Sequence, residues 1–306
     1  MIHAEFNIEV ANRHGDTIYT TITVPSQSAG AIDSAEDVPL SAEGATYPLV
    51  ILLHGFKGFR NWGFFPVAAQ HLADCGLIVM RMDFSKNGMR GTADRVLSMS
   101  DFAENTITLE LDDVADLIEC LRKSHSPSDV NSALPDDGFQ RVRQFWDGTL
   151  RFVGHSRGGG IAQLAGAEHA VQKVVVWNSV GRWGRWTPRQ REVWMESGTV
   201  DVENTRTSQK LQMNRTYVED IEANSDRLSL INASRVLADR LLFIHAELDL
   251  TVQLHEIQAL IREADNKPAL SIVSNTTHTF GMSHPLDHIT PAFAKVLTQT
   301  TDFLIA

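Results

Sequence analysis

Cysteine is scarce in this chain: Cys75 and Cys120 are the only two in 306 residues, far apart and without metal-type spacing. They offer neither a disulfide framework nor a zinc site, and they read as small buried apolar residues. Positive charge is also in short supply, with 27 Lys and Arg against 38 Asp and Glu, a formal net charge of −11 and a pI near 5.5. Phosphate binding draws on a surplus of cations, so nucleic acid and anionic lipid surfaces are excluded as general partners. No apolar run approaches the length needed to span a bilayer, and the opening "MIHAEFNIEV" lacks a basic segment followed by a long apolar one. The expectation is a cytoplasmic protein without membrane association, for which a homo-oligomer is compatible but not deducible.

What the chain does have is length enough for a large core and a regular alternation of patterns. "HAEFNIEVANRHGDTIYTTITVP" alternates apolar and polar residues on both sides of "NRHGD", which predicts an antiparallel hairpin at a sheet edge. Short continuous apolar runs follow, "PLVILLHG", "GLIVMRMDF", "LRFVGHS", "KVVVWNS", "RLLFIHAE" and "ALSIVSN", as expected for strands covered on both faces. Helical patterns separate them, among them "FPVAAQHLADCG", "ENTITLELDDVADLIECLRKS", "GGIAQLAGAEHA", "HEIQALIREAD" and "PAFAKVLTQTTDFLIA". The alternation implies an open, mostly parallel, doubly wound α/β sheet. Two polar stretches, "SQSAGAIDSAEDVPLSAEGATYP" and "SHSPSDVNSALPDDGF", read as surface loops. The stretch after "VVVWNS" is too long for an ordinary link, so residues 181–235 are expected to form an inserted helical cap on a core of 1–180 and 236–306.

One corner carries chemistry. Gly154-His155-Ser156-Arg157-Gly158 has the G-x-S-x-G form between a predicted strand and a predicted helix, the context that lifts a serine Oγ out of a packed layer. The glycines suit a strained turn where side chains would collide with neighbouring backbone. The helix start places positive backbone dipoles beside developing negative charge. A serine near neutral pH needs a base, and the base needs an orienting acid, in the chain order Ser, acid, His for this architecture. Beyond "RLLFIHA" two carboxylates compete as the acid, Asp249 and Glu247, and beyond "LSIVSNTT" stands His278.

These pieces, "LLHGFKGFRNWGFFPVAAQHLADCGLIVMRMDFSKNG", "VGHSRGGG", "HAELDLTV" and "HTFGMSHP", resemble the α/β-hydrolase superfamily. The nearest likeness is to bacterial serine esterases similar to dienelactone hydrolases, cinnamoyl or feruloyl esterases and prolyl-oligopeptidase-like hydrolases. The resemblance spans residue 48 to the C-terminus and is specific for fold and triad but weak for substrate. It implies Ser156 as nucleophile, His278 as base and acid, Asp249 rather than Glu247 as orienter, and an oxyanion hole from the amides of Phe56 and Arg157. The chain departs from the family at Ala246, where relatives usually carry glycine, and at "FSKNG", where they usually carry a small or glycine-rich turn.

Other residues invite competing readings. His54 and His155 sit where relatives hold packing histidines, so both are expected to be structural. His284 and His288, with Asp287 between them, lack further spaced ligands, and no metal is expected. In the inserted stretch, Trp177, Trp183, Trp186 and Trp194 stand beside Arg182, Arg185, Arg189 and Arg191. They read either as a cap burying its indoles or as a pocket. In the pocket reading Trp183 and Trp186 wall an acyl group while Arg182 or Arg185 reaches a substrate carboxylate. The function implied is a cofactor-independent serine carboxylesterase acting on a small-molecule ester. The alternatives are a peptidase or amidase with the same triad and a catalytically silent binding module on the same fold.

Overall fold

The computed structural model describes residues 4–25, 46–91, 93–123 and 137–306. Most of the two predicted surface loops, 26–45 and 124–136, lies outside the described residues. The chain opens on a hairpin, β1 (Ala4–Ala11) and β2 (Thr17–Val24), then runs through β3 (Tyr47–Leu53), α1 (Phe64–Asp74), β4 (Ile78–Asp83), α2 (Met99–Glu104), α3 (Ile107–Arg122) and α4 (Asp137–Phe145). Next come β5 (Trp146–His155), α5 (Arg157–Glu168), β6 (Lys173–Trp177), α6 (Pro188–Ser197), β7 (Thr199–Asn204), β8 (Gln209–Asn214), α7 (Thr216–Ala223) and α8 (Leu230–Leu237). It closes with β9 (Leu241–Ala246), α9 (Leu254–Glu263), β10 (Ala269–Val273) and α10 (Pro291–Ile305).

Eight strands form one sheet in the order β1-β2-β4-β3-β5-β6-β9-β10. The β1/β2 and β2/β4 pairs are antiparallel and every later pair is parallel, so the expected edge hairpin is joined to a parallel core. The period of two along β3 shows why the core strands read as unbroken apolar runs. Leu49, Ile51 and Leu53 enter a core shared with α3 and α5, while Val50 and Leu52 enter the one on the other face, shared with α1 and α10. β10 is the exception, since as an edge strand it leaves Ile272 40% exposed. Strand order reverses at β3, with β4 on one side and β5 on the other, and a crevice opens at such a switch point beyond the carboxyl ends of the strands.

Several expectations change. The pattern read as one helix from Glu104 splits, because Asn105 and Thr106 are extended and the Thr106 hydroxyl accepts from Leu109 N, capping α3 afresh. The inserted stretch carries helices as expected, together with the antiparallel β7–β8 hairpin, which the sequence reading of a helical cap did not include. Trp177 lies in β6 beneath the sheet face, donating to Thr300 Oγ1 at 2.9 Å, and is no part of a cap. Cys75 is exposed at the end of α1 and Cys120 half-buried, so neither is the buried residue expected. Among the described residues no helix is long and apolar enough to cross a membrane.

Candidate active site

Ser156 stands between β5 and α5 with φ 55° and ψ −120°, a conformation an L-residue adopts only when its surroundings enforce it. The enforcement is visible at Gly158, where a Cβ would lie 2.4 Å from the carbonyl oxygens of both Leu53 and His54. The turn is therefore pressed against the end of β3. At Gly160 a Cβ would meet the Trp183 ring at 2.4 Å, so its absence admits the inserted segment against α5.

Three side chains from separate strand ends meet at this turn. His278 Nε2 lies 3.0 Å from Ser156 Oγ, and His278 Nδ1 lies 2.7 Å from Asp249 Oδ2. An ionised carboxylate can only accept, so Nδ1 carries the proton and Nε2 is left to accept from the serine hydroxyl. Burial would by itself raise the Asp249 pKa. The His278 bond and charge and the amides of Val252 and Thr251, at 2.9 and 2.8 Å, outweigh it and hold the carboxyl below its usual range. Glu247, the competing carboxylate, instead accepts from Asn275 N at 3.1 Å.

The supporting histidines are placed behind the turn. His155 Nε2 donates to the His278 carbonyl at 2.9 Å, and burial drives its pKa down to about 3, so it stays neutral. His54 Nδ1 donates to Gly55 O at 2.9 Å, bracing the turn that carries Phe56. That turn approaches the serine closely enough that a Cβ on Gly55 would sit 3.0 Å from Ser156 Cβ. Phe56 and Arg157, whose amides were expected to face an oxyanion, both border the cavity beside Ser156.

Asn178 was not singled out from sequence. Its Nδ2 donates to the His278 carbonyl at 2.7 Å and its Oδ1 accepts Ala246 N at 2.7 Å, tying the ends of β6 and β9 to the histidine loop. Its position directly after "KVVVW" was the only signal. Glu110 was missed as well. Its Oε1 lies 3.1 Å from Arg157 Nη2 inside the protein, and the guanidinium packs between the Phe56 and Tyr217 rings, 5.2 and 4.9 Å from their centroids.

Two cavities adjoin Ser156. The first, about 280 Å³, is walled by Trp183, Trp186, Trp194 and Tyr217, with Arg182 and Arg185 also at its edge. Trp183 is buried and donates to Leu228 O at 2.8 Å, so the pocket wall and the buried indole of the two sequence readings are one residue. Arg182 Nε and Arg185 Nη1 lie 3.6 and 3.4 Å from the Glu256 carboxylate, which answers their charge. Arg191 makes a bidentate pair with Glu222 elsewhere on the surface. The second cavity, about 460 Å³, is bordered by His278, Thr279 and Lys57 and by the turn of the β7–β8 hairpin. His284 accepts from Gly63 N at 3.0 Å, and His288 pairs with Asp287 at the surface. Among the described residues no group of three or more His, Cys, Asp or Glu is arranged to hold a metal.

No family model matches the sequence, and no curated protein is significantly similar to it. Solved structures are similar over nearly the whole chain. Est1E from Butyrivibrio proteoclasticus, with ferulic acid bound, superposes with a TM-score of 0.64 at 14% identity, covering 97% of this chain and 98% of that one. A putative hydrolase from Agrobacterium vitis S4 gives 0.65 at 14% identity, with 99% of both chains covered. A dienelactone hydrolase from Anabaena variabilis gives 0.56 at 16% identity over 99% of this chain and 97% of its own. The mixed eight-stranded sheet, with superposition over nearly the whole chain on these proteins, identifies the architecture of the chain as the α/β-hydrolase fold.

Proposed function

We propose that the protein is a serine hydrolase that cleaves carboxylic esters through an acyl-enzyme intermediate. The observation that carries this reading is the continuous chain from Ser156 Oγ through the His278 ring to Asp249, 3.0 and 2.7 Å long at its two links, on a serine held at a strained turn. Ser156 attacks the ester carbonyl while His278 Nε2 takes its proton. The Phe56 and Arg157 amides stabilise the oxyanion. His278 then protonates the leaving alcohol and next activates the water that releases the acid. Asp249 stabilises the imidazolium and keeps its proton on Nδ1. The aromatic walls of the first cavity suit an apolar or aromatic acyl group, and a neighbour of the same fold binds ferulic acid, an aromatic acid.

The test is covalent labelling joined to turnover. A fluorophosphonate probe is expected to add to Ser156, located by mass spectrometry. Ser156→Ala should lower p-nitrophenyl butyrate hydrolysis by about 10⁶-fold at most, the scale seen when such nucleophiles are removed. Label on another residue, or an unchanged rate in Ser156→Ala, refutes the reading. Comparison with an aminoacyl p-nitroanilide separates it from an amidase, since amides require more leaving-group assistance.

A further inference from the structure

The two cavities at Ser156 are not equivalent. Ser156 borders both, but His278 borders only the second. In acyl transfer the imidazole that accepts the serine proton must hand it to the departing oxygen, so the leaving group lies on the imidazole's side. The second cavity therefore receives the leaving alcohol and the aromatic one retains the acyl group. We propose, building on the esterase reading, that the leaving alcohol carries a carboxylate, held by Lys57, Arg206 and Asn204.

Each of the three offers donors that nothing in the site answers fully. Lys57 follows Phe56 directly, in the left-handed region at φ 60°, and its Nζ donates to the main-chain carbonyl of Glu203 at 2.9 Å. Among the described residues no carboxylate lies within ion-pair distance of it. Burial lowers its pKa, a cost that an anion in the cavity would offset. Asn204 is 4% exposed, and its Nδ2 donates to no acceptor although the residue borders the cavity. A buried N–H pair left unanswered is costly, and a ligand oxygen would satisfy it. Arg206 stacks on the Phe59 ring at 5.3 Å, and Asp94 answers it with a main-chain carbonyl and a carboxylate 3.5 Å away. That carboxylate is 59% exposed and lies outside the cavity lining, as does Glu203, whose charge reaches Lys57; among the described residues the lining itself carries Lys57 and Arg206 and no carboxylate.

The hairpin supplies this wall and is itself fixed. Asn204 ends β7, Thr205 and Arg206 open the turn that leads to β8, and the Gln209 side chain pins its base by accepting Val96 N at 3.1 Å and donating to Val96 O at 2.8 Å. Lys57 reaches the same place from the turn after β3. Donors thus converge from two distant segments on one side of the serine.

The experiment compares leaving groups that differ only in charge. 3-Butyryloxy-4-nitrobenzoate and its neutral carboxamide share an acyl group and both release a coloured nitrophenolate. With each rate normalised to hydroxide-catalysed hydrolysis, wild-type kcat/KM is expected to favour the carboxylate by about tenfold, the scale of one charge-assisted hydrogen bond. Lys57→Met and Arg206→Gln should each bring that ratio towards one. Reading a ratio within each variant cancels any effect on the neighbouring oxyanion amide. A wild-type ratio of one or less, or a ratio unchanged in both variants, overturns the assignment while leaving the esterase reading intact. If the wild type hydrolyses neither ester nor p-nitrophenyl butyrate, the esterase reading fails and takes this inference with it.

Discussion

At the scale of single residues, the Asp249 carboxylate accepts three hydrogen bonds: two amides at Oδ1 and His278 at Oδ2. Asp249→Asn keeps the volume but can present an N–H to Nδ1, which favours the wrong imidazole tautomer. A kcat loss of about 10⁴-fold is expected, as for other triads altered in this way, with unfolding barely shifted. Esterase assay beside a urea titration checks both halves; a kcat within about tenfold of wild type would remove Asp249 from the role. That Ser156, Asp249 and His278 share one mouth of the sheet could be expected from sequence, because each follows its own apolar strand. Asn178 was not legible there, since its two hydrogen bonds run to β9 and to a loop 100 residues away.

At the scale of elements, α3 bears an acid in its buried face. Glu110 is 3% exposed and faces Arg157, the first residue of α5, yet Glu110 Oε2 and Arg157 Nε have no hydrogen-bond partner. Glu110→Gln would leave the guanidinium buried without its counter-charge, at a cost of about 3–5 kcal/mol. A fall in the urea midpoint measures it, and a midpoint shift worth less than about 1 kcal/mol would mean that water or another group already answers Arg157. Joint replacement by Glu110→Leu and Arg157→Met should recover much of the loss, because removing both charges removes the unpaired one. An amphipathic pattern predicted α3 itself, but which of its acids turned inward depended on where α5 came to rest.

For the whole molecule, the edge hairpin is anchored to α3 through Asp113, whose carboxylate accepts Asn12 Nδ2 and Ser85 N, both at 2.7 Å. Burial raises its pKa to about 7 despite those two bonds, which favour the ionised form. A carboxyl whose native pKa lies above its unfolded value of 3.8 binds its proton more tightly when folded. Its contribution is therefore present in acid and is lost as pH rises through that interval. Asp113→Asn, neutral throughout, should gain stability relative to wild type between about pH 5 and about pH 8. Melting temperatures of both proteins across that range test it; a constant difference would mean that Asp113 is ionised throughout.

By itself the sequence determined the parallel sheet, its helices and the places of Ser156, Asp249 and His278, because strand runs, glycine turns and helix periods are properties of neighbouring residues. Only the tertiary structure decided that the insertion carries a hairpin, that Glu256 occupies Arg182 and Arg185, and that Lys57 meets the end of β7 at Glu203. Those contacts join residues from separate elements, Lys57 and Glu203 being 146 positions apart, and their energies depend on how whole elements pack and register.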